Sequence, residues 1–265
     1  MADPRRPLAG IFIIDAVAGP LAPATRYLAE LGADVIRVDT AKTAKSTRAM
    51  LQDAAANNGK SLQKIDFGQA DDLAKLETLI ETADGVIVDS HHELSIRAEF
   101  SPAALHMRFP QKLIVACSDF GQGNSCSEWQ ATDPVLHALT GELSRSGIAG
   151  RAPLLPPGEL AVQCSAVQLA YAVLTGLIQR AQSGVGDLLD YSMLDGAMQA
   201  LDPGYGISGS ATMGKPAHLL STDRPPRGFL YPIIRCADGY VRICLLAVRQ
   251  WRGMHEWMGK PEEFA

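Results

Sequence analysis

Residues 10–39, GIFIIDAVAGPLAPATRYLAELGADVIRVD, decide the fold. The run at residues 11–14 is continuously apolar, the pattern of a strand covered on both faces rather than one lying half in water. It ends at Asp15, and AVAGP then supplies Gly19 and Pro20 for a turn. In LAPATRYLAELGA, Leu21, Thr25, Leu28 and Leu31 recur at helical spacing, and Gly32 marks the stop. A second strand over residues 34–38 closes on the acidic Asp39. Parallel strands joined by a helix cross right-handed, so this unit predicts a doubly wound sheet.

The alternation continues outward. A short strand at 61–65, a helix at 71–82, a strand at 85–88, a helix at 102–107 and a strand at 112–117 follow in turn, which is the α/β class. Residues 40–59 are polar, Ala-rich and basic (Lys42, Lys45, Arg48) and read as a loop. Residues 133–144 read as helical, and a Pro/Gly-rich stretch at 147–158 interrupts the pattern. The long, weakly charged helix over 160–182 is expected to be buried; Gly184 and Gly186 end it before a strand at 188–193. A Gly/Ser/Pro-rich linker, 203–227, separates a large domain (1–202) from residues 228–265. There YPIIRCADGYVRICLL sets Asp238-Gly239 at a hairpin turn, and a helix starts over residues 250–258. One hairpin and one helix make no independent core, so this tail reads as the beginning of a small α+β domain, incomplete here.

Composition narrows the function. Apolar residues are 47% and charged residues 20%, which is globular rather than disordered. The net charge is -5 and no basic run exceeds Arg5-Arg6, which argues against nucleic acid while leaving room for a small anionic ligand. The N-terminus lacks the apolar stretch of a signal peptide, and residues 11–14 fall far short of the roughly 20 needed to span a bilayer, so no membrane association is expected. Five scattered cysteines without a CxxC pair read as reduced thiols of a cytoplasmic protein. No HExxH or His/Cys cluster suggests a metal, and the adjacent His91-His92 reads as a pair of solvated loop histidines. A nicotinamide-dependent dehydrogenase would need a GxGxxG after the first strand, and none is present.

Six segments, in order, resemble the class III CoA-transferase family, called CaiB/BaiF-like, which includes formyl-CoA transferase and α-methylacyl-CoA racemase. PLAGIFIIDAVAGPLAPATRYLAELGADVIRVD is similar to the family's opening strand, AGP turn and LGADVI segment. NNGKSL resembles NRNKRSL, and ADGVIVDS resembles ADVVIENF. FGQ, with Asp133 eleven residues on, is similar to the FGQ…D element. GVGDLLDYSMLDGAM resembles the GRGQ segment, and CADGYVRI…RQW…MGKPE resembles the opening of the small domain. The resemblance implies a Rossmann-like large domain that binds coenzyme A, a small domain, and a dimer of interlocked chains. It implies CoA or an acyl-CoA as substrate, without a metal, and a carboxylic acid as acceptor. The partner is a second copy or a second CoA-transferase domain.

Moving CoA from an acyl-CoA to a carboxylic acid needs a carboxylate nucleophile, donors for an oxyanion and a phosphate site. The resemblance places coenzyme contacts at Ala16, Val17 and Ala18, which also sit where open α/β sheets bind ligands. It adds Lys42, Arg48, Asp89, Ser90 and Arg97, the last eight residues after Asp89 and suited to a pyrophosphate. A purely structural turn at 16–18, a solvated Lys42 and a solvated helix Arg97 are the alternatives. The family's nucleophilic aspartate stands about ten residues before a helix glycine; counting back from Gly176 gives Ala166, which has no carboxylate. The nearest is Glu159, with helix capping as its other role. Asp133 matches an acidic position near the site, or starts the helix as an N-cap. Thr132 stands where a racemase needs an acid/base histidine, which disfavours racemisation. Two functions remain: a CoA transferase using Glu159 and Asp133, or a non-catalytic CoA-binding half of a tandem or heteromeric enzyme.

Overall fold

The computed structural model describes residues 6–17, 19–40, 47–144, 146–147, 150–200, 233–243, 245 and 247–262. Ala18, Lys42 and the linker 203–227 lie outside the described residues, as does the side chain of Arg48. Two compact units are present.

The first unit is built on six parallel strands: β1 (Phe12–Ala16), β2 (Asp34–Asp39), β3 (Ser61–Lys64), β4 (Gly85–Asp89), β5 (Leu113–Ser118) and β6 (Leu188–Ser192). Their order is β3-β2-β1-β4-β5-β6, the Rossmann order, with the reversal of winding between β1 and β4. Ile13 stands beside Val35 on one side and Gly85 on the other, and Ala16 beside Val88. The helices are α1 (Pro23–Glu30), α2 (Thr47–Ala56), α3 (Ala70–Thr82), α4 (Pro102–Arg108), α5 (Asp133–Leu139), α6 (Leu160–Ser183) and α7 (Met193–Ala197).

Successive strand residues face opposite ways, and the core divides accordingly. Ile13, Ile87 and Val115 pack with Leu28 of α1, Leu136 of α5 and Leu169 of α6. Ile14, Val86, Val88 and Ile114 pack on the other face with Leu76 and Ile80 of α3 and Leu105 of α4. Continuous apolar runs in β1, β4 and β5 thus have a use for every residue, as the sequence pattern required.

Two expectations are corrected. Residues 40–59 are not all loop, because α2 runs from Thr47 to Ala56. Its alanines favour a helix, and Arg37 and Arg26 anchor it through Asp53 (3.0 Å) and the Ala55 carbonyl (3.0 Å). The helix α6 is not buried all round. Ala161, Ala166, Leu169, Val173 and Gly176 form its buried face, while Val167, Tyr171 and Ile178 are exposed. Among the described residues α6 is the one helix long and apolar enough to cross a membrane, and half of that stretch is buried in the fold.

The second unit contains residues 143–154 and the C-terminal elements. Strands β7 (Ile233–Arg235) and β8 (Tyr240–Arg242) pair antiparallel around Asp238-Gly239 as expected, and α8 covers Val248–Trp257.

The glycines after α6 differ in what they allow. Gly184 has φ of +72° and open space around it, whereas a Cβ on Gly186 would stand 1.9 Å from the Lys112 carbonyl oxygen. Gly184→Ala should therefore cost about 1–2 kcal/mol, the price of a left-handed alanine. Gly186→Ala should cost about 3 kcal/mol or more through overpacking against backbone. Urea unfolding of the two variants checks the order.

Candidate functional site

The carboxyl ends of β1 and β4 meet at the point where the winding reverses, the place where such sheets take ligands. The β1 end is shaped by a buried ion pair: Lys60 Nζ lies 2.8 Å from Asp15 Oδ2, with the side chains 1% and 0% exposed. Lys60 also donates to the Ala22 carbonyl (2.8 Å) and Asn57 Oδ1 (2.7 Å), so all three ammonium hydrogens are used. Asp15 accepts further from Thr25 Oγ1 (2.7 Å) and the Val17 amide (3.0 Å). Burial lowers the Lys60 pKa, and the Asp15 carboxylate pulls it back up. Ala16 and Val17 are buried in this turn, beside the end of β4.

At the β4 end, Asp89 is buried and its Oδ1 accepts the His91 amide (2.8 Å), while Ser90 is exposed. Of the two histidines read as solvated loop residues, His91 is exposed in the turn after β4, as expected, and His92 is not. His92 is buried; its Nδ1 accepts from the Leu94 amide (3.1 Å), which assigns the hydrogen on Nε2 to the Val38 carbonyl (3.1 Å). Burial lowers its pKa, outweighing that carbonyl and the nearby carboxylates. His91 pairs with Asp119 at 3.1 Å. Burial opposes its charge, but the Asp119 hydrogen bond and the Asp89 and Asp119 carboxylates prevail and raise the pKa. Asp119 Oδ2 is held by the Ala131 amide (2.6 Å). These groups border a cavity of about 520 Å3 lined by Ser90, His91, Ser118, Asp119 and Trp129 among others.

A second cluster surrounds the start of α6. Thr132, not Asp133, occupies the N-cap position of α5, and Asp133 is its first residue. The Asp133 carboxylate instead reaches across to the Val162 amide (3.1 Å), in the first turn of α6. Its Oδ2 lies 3.1 Å from His137 Nε2, without the alignment of a hydrogen bond. His137 is fully buried and its Nδ1 meets the Glu142 carboxylate. Glu159 stands at the N-cap position of α6 but its side chain makes no capping bond, so the capping role expected of it belongs to Asp133. Glu159 is exposed. Ala166 is 0% exposed within the core, where a carboxylate would lack water and partners.

Arg97 is neither solvated nor free. It lies between two 3-10 turns and donates to the Phe67 carbonyl (2.7 Å), with its guanidinium 5.0 Å from the Phe67 ring centre. Of the expected residues, the structure thus brings Ala16 and Val17 together with Asp89 and Ser90, and places Asp133 beside the start of α6 after Glu159. Arg97 stands apart from both groups in its bonding, against Phe67. Sequence reasoning missed Lys60, His91, Asp119 and His137. Lys60 lies inside the NNGKSL segment, and a lone basic residue following a turn was its only signal. Among the described residues no cluster of His, Cys, Asp and Glu is arranged to hold a metal ion.

The model of CoA-transferase family III matches residues 8–265. A probable CoA-transferase of Mycobacterium tuberculosis is 36% identical over 91% of this chain and 31% of its own length. The succinate–glutarate CoA-transferase of Agrobacterium fabrum is 25% identical over 98% of this chain and 68% of its own. The chain therefore spans about a third of the first relative and about two thirds of the second. A solved M. tuberculosis protein, Rv3272, superposes with a TM-score of 0.74 at 24% identity, covering 98% of this chain and 71% of that one, which supports the fold.

Removing one partner of the buried pair leaves the other charge bare. Lys60→Met should cost about 3–5 kcal/mol, and Asp15→Asn combined with it should recover part of the loss, read by urea unfolding. The two histidines carry opposite pH signatures. The lowered pKa of His92 gives stability that is present above the unfolded value and lost as pH falls. The raised pKa of His91 gives stability that is full at low pH and lost as pH rises through the folded value. Between about pH 7 and pH 5, His92→Gln should lose less stability than wild type and His91→Gln more, in paired urea titrations.

Proposed function

Because the chain belongs to CoA-transferase family III, we propose that it moves CoA from an acyl-CoA donor to a carboxylic acid acceptor, with Glu159 as the nucleophile. The observation that carries this is the free, exposed Glu159 carboxylate at the start of α6, a position Asp133 leaves available by capping the helix itself. The name of the succinate–glutarate relative supports carboxylates on both sides of the transfer.

In this reading a Glu159 oxygen attacks the thioester carbonyl, the C–S bond breaks, and CoA leaves as a thiolate. The thiolate attacks the Glu159 carbonyl of the resulting mixed anhydride, which releases the first carboxylate and leaves a glutamyl-CoA thioester. The acceptor carboxylate attacks that thioester, and the thiolate then takes the new acyl group and frees Glu159. The positive end of α6 favours the negative charge that develops at each addition. Asp133 acts as a positioning residue, fixing the helix start. CoA lies in the crevice beyond β1 and β4, along Ala16, Val17, Asp89 and Ser90; the roles of Ala18, Lys42, Arg48 and Arg97 toward it rest on the family resemblance alone. A second copy of the chain or a second CoA-transferase domain completes the assembly, in the cytoplasm.

One observation favours a second reading. The alanine at 166, where counting places the family's aspartate, is sealed in the core, as befits a CoA-binding half whose partner supplies the carboxylate. Incubation with succinyl-CoA, borohydride reduction of any enzyme thioester and peptide mapping separates the two. Label on Glu159, absent from Glu159→Gln with turnover down on the order of 10^3–10^4-fold, is expected. Saturable CoA binding without label would favour the non-catalytic half.

A further inference from the structure

The helix α6 turns toward water a face without charge. From Leu160 to Gln179 the chain has no Asp, Glu, Lys or Arg. The first charge, Arg180, is taken up by Asp84 (2.8 Å) and the Gln111 carbonyl (2.7 Å). A helix packed on a core normally carries charged residues on its outer side, and α3, across the sheet, exposes Asp71, Lys75 and Glu81. On α6 the exposed side chains include Val167 (49%), Tyr171 (67%) and Ile178 (59%), with Gln163, Thr175 and Gln179 between and beyond them. Apolar side chains lined up along one face, without a charge among them, mark an interaction surface.

The order of residues on this face selects its occupant. Gln163, Val167, Tyr171, Thr175 and Gln179 form one ridge at four-residue spacing. That ridge reads nearly the same from either end, with glutamines outermost, two β-branched side chains of similar size next, and Tyr171 in the middle. The symmetry continues beside it: Ala170 and Ala172 flank the tyrosine, and Cys164 and Ile178 stand at equal spacing before and after it. Tyr171 is also at the centre of α6, which runs from Leu160 to Ser183. A two-fold interface uses the same patch on both partners, so residue i meets j and j meets i. A palindromic ridge meets itself in this way when two copies cross antiparallel. Charges near the axis would face their own kind, and this face has none. A membrane surface fits less well, since helices that lie on lipid carry Lys and Arg beside the apolar stripe, where α6 has glutamines and a threonine.

We propose that α6 is the face on which a second copy of this chain docks, the two helices crossing antiparallel at Tyr171. Tyr171 of each copy packs on its counterpart, and position 167 of one lies against position 175 of the other. A stable pair buries about 800 Å2 on each partner, more than one crossing of helices about 10 Å wide supplies. The exposed Val135 and Leu139 of α5, and Leu31 at the end of α1, belong to helices packed beside α6 and extend the apolar ground. A second copy is already part of the proposed function, on which this rests; the docking face and its register are new to it.

The test is sedimentation velocity of the full chain between about 1 and 100 μM. A dimer with a Kd on the order of 1–10 μM is expected for an interface of that size. Tyr171→Asp sets two carboxylates on the axis and should weaken pairing on the order of 100-fold, with the circular dichroism spectrum unchanged because the side chain faces water. Val167→Lys and Thr175→Glu should each weaken pairing alone and form a dimer with one another when mixed, as the antiparallel register requires. A monomer throughout would overturn the proposal and the second-copy reading together. A dimer indifferent to Tyr171→Asp, or no recovery in the mixture, would overturn the docking face while leaving that reading in place. Binding of the chain to phosphatidylglycerol vesicles that Tyr171→Asp abolishes would assign the face to a membrane instead.

Discussion

The ion pair between Asp15 and Lys60 is the constraint on which the carboxyl edge of the sheet depends. β1 is central and covered on both faces, so its last residues must turn in a place with no water to solvate a charge. Asp15 nonetheless sits there, and it holds the turn through Val17, the first helix through Thr25 and the approach to β3 through Lys60. Buried pairs give little net stability, since desolvation consumes most of the attraction. Their effect is to make alternatives worse. Any path that carries Lys60 elsewhere strips a buried carboxylate of its ammonium partner and takes a donor from the Ala22 carbonyl. The turn at residues 16–17 keeps its shape beside β4 for that reason.

Much of the fold was legible because it follows from local periodicity. Ile13 and Ile14 belong to opposite cores, as do Val115 and Ile114, so an unbroken apolar run could only be a strand covered twice. The Asp238-Gly239 turn was legible for the same reason, since two residues with special backbone preferences fix a hairpin locally. What escaped the sequence was set by partners far along the chain. α2 looked like a polar loop until Arg37 and Arg26 held it through Asp53 and Ala55. His92 looked solvated because nothing adjacent announces that the Val38 carbonyl, 54 positions away, receives its hydrogen. Lys60 looked like any lysine after a turn for the same reason, its carboxylate being 45 positions away.

The site was legible in part, and the part that failed concerns how a helix begins. Counting along the chain treats a catalytic position as a fixed distance from a landmark glycine, and that count ends inside α6. The landmark itself is sound. Gly176 is a place where α6 presses on β5, since a Cβ there would stand 2.6 Å from a Leu113 methyl carbon. Yet α6 is anchored at its other end by different chemistry, the Asp133 carboxylate on the Val162 amide. The distance between a packing glycine and a helix start varies with the length of the helix.

Two acidic residues near one helix start then divide its demands. The amides of a first turn lack partners within the helix and attract whichever acceptor is best placed. Asp133 has both oxygens engaged, one by Val162 and one beside His137, and the buried His137 is flanked on its other side by Glu142. That row fixes where α6 begins and ties the Asp133 carboxylate to the helix end. Glu159 bears none of this cost. Its carboxylate stays in water with no capping bond to break. One carboxylate is held and another is free at the same helix start, though the two stand 26 positions apart along the chain.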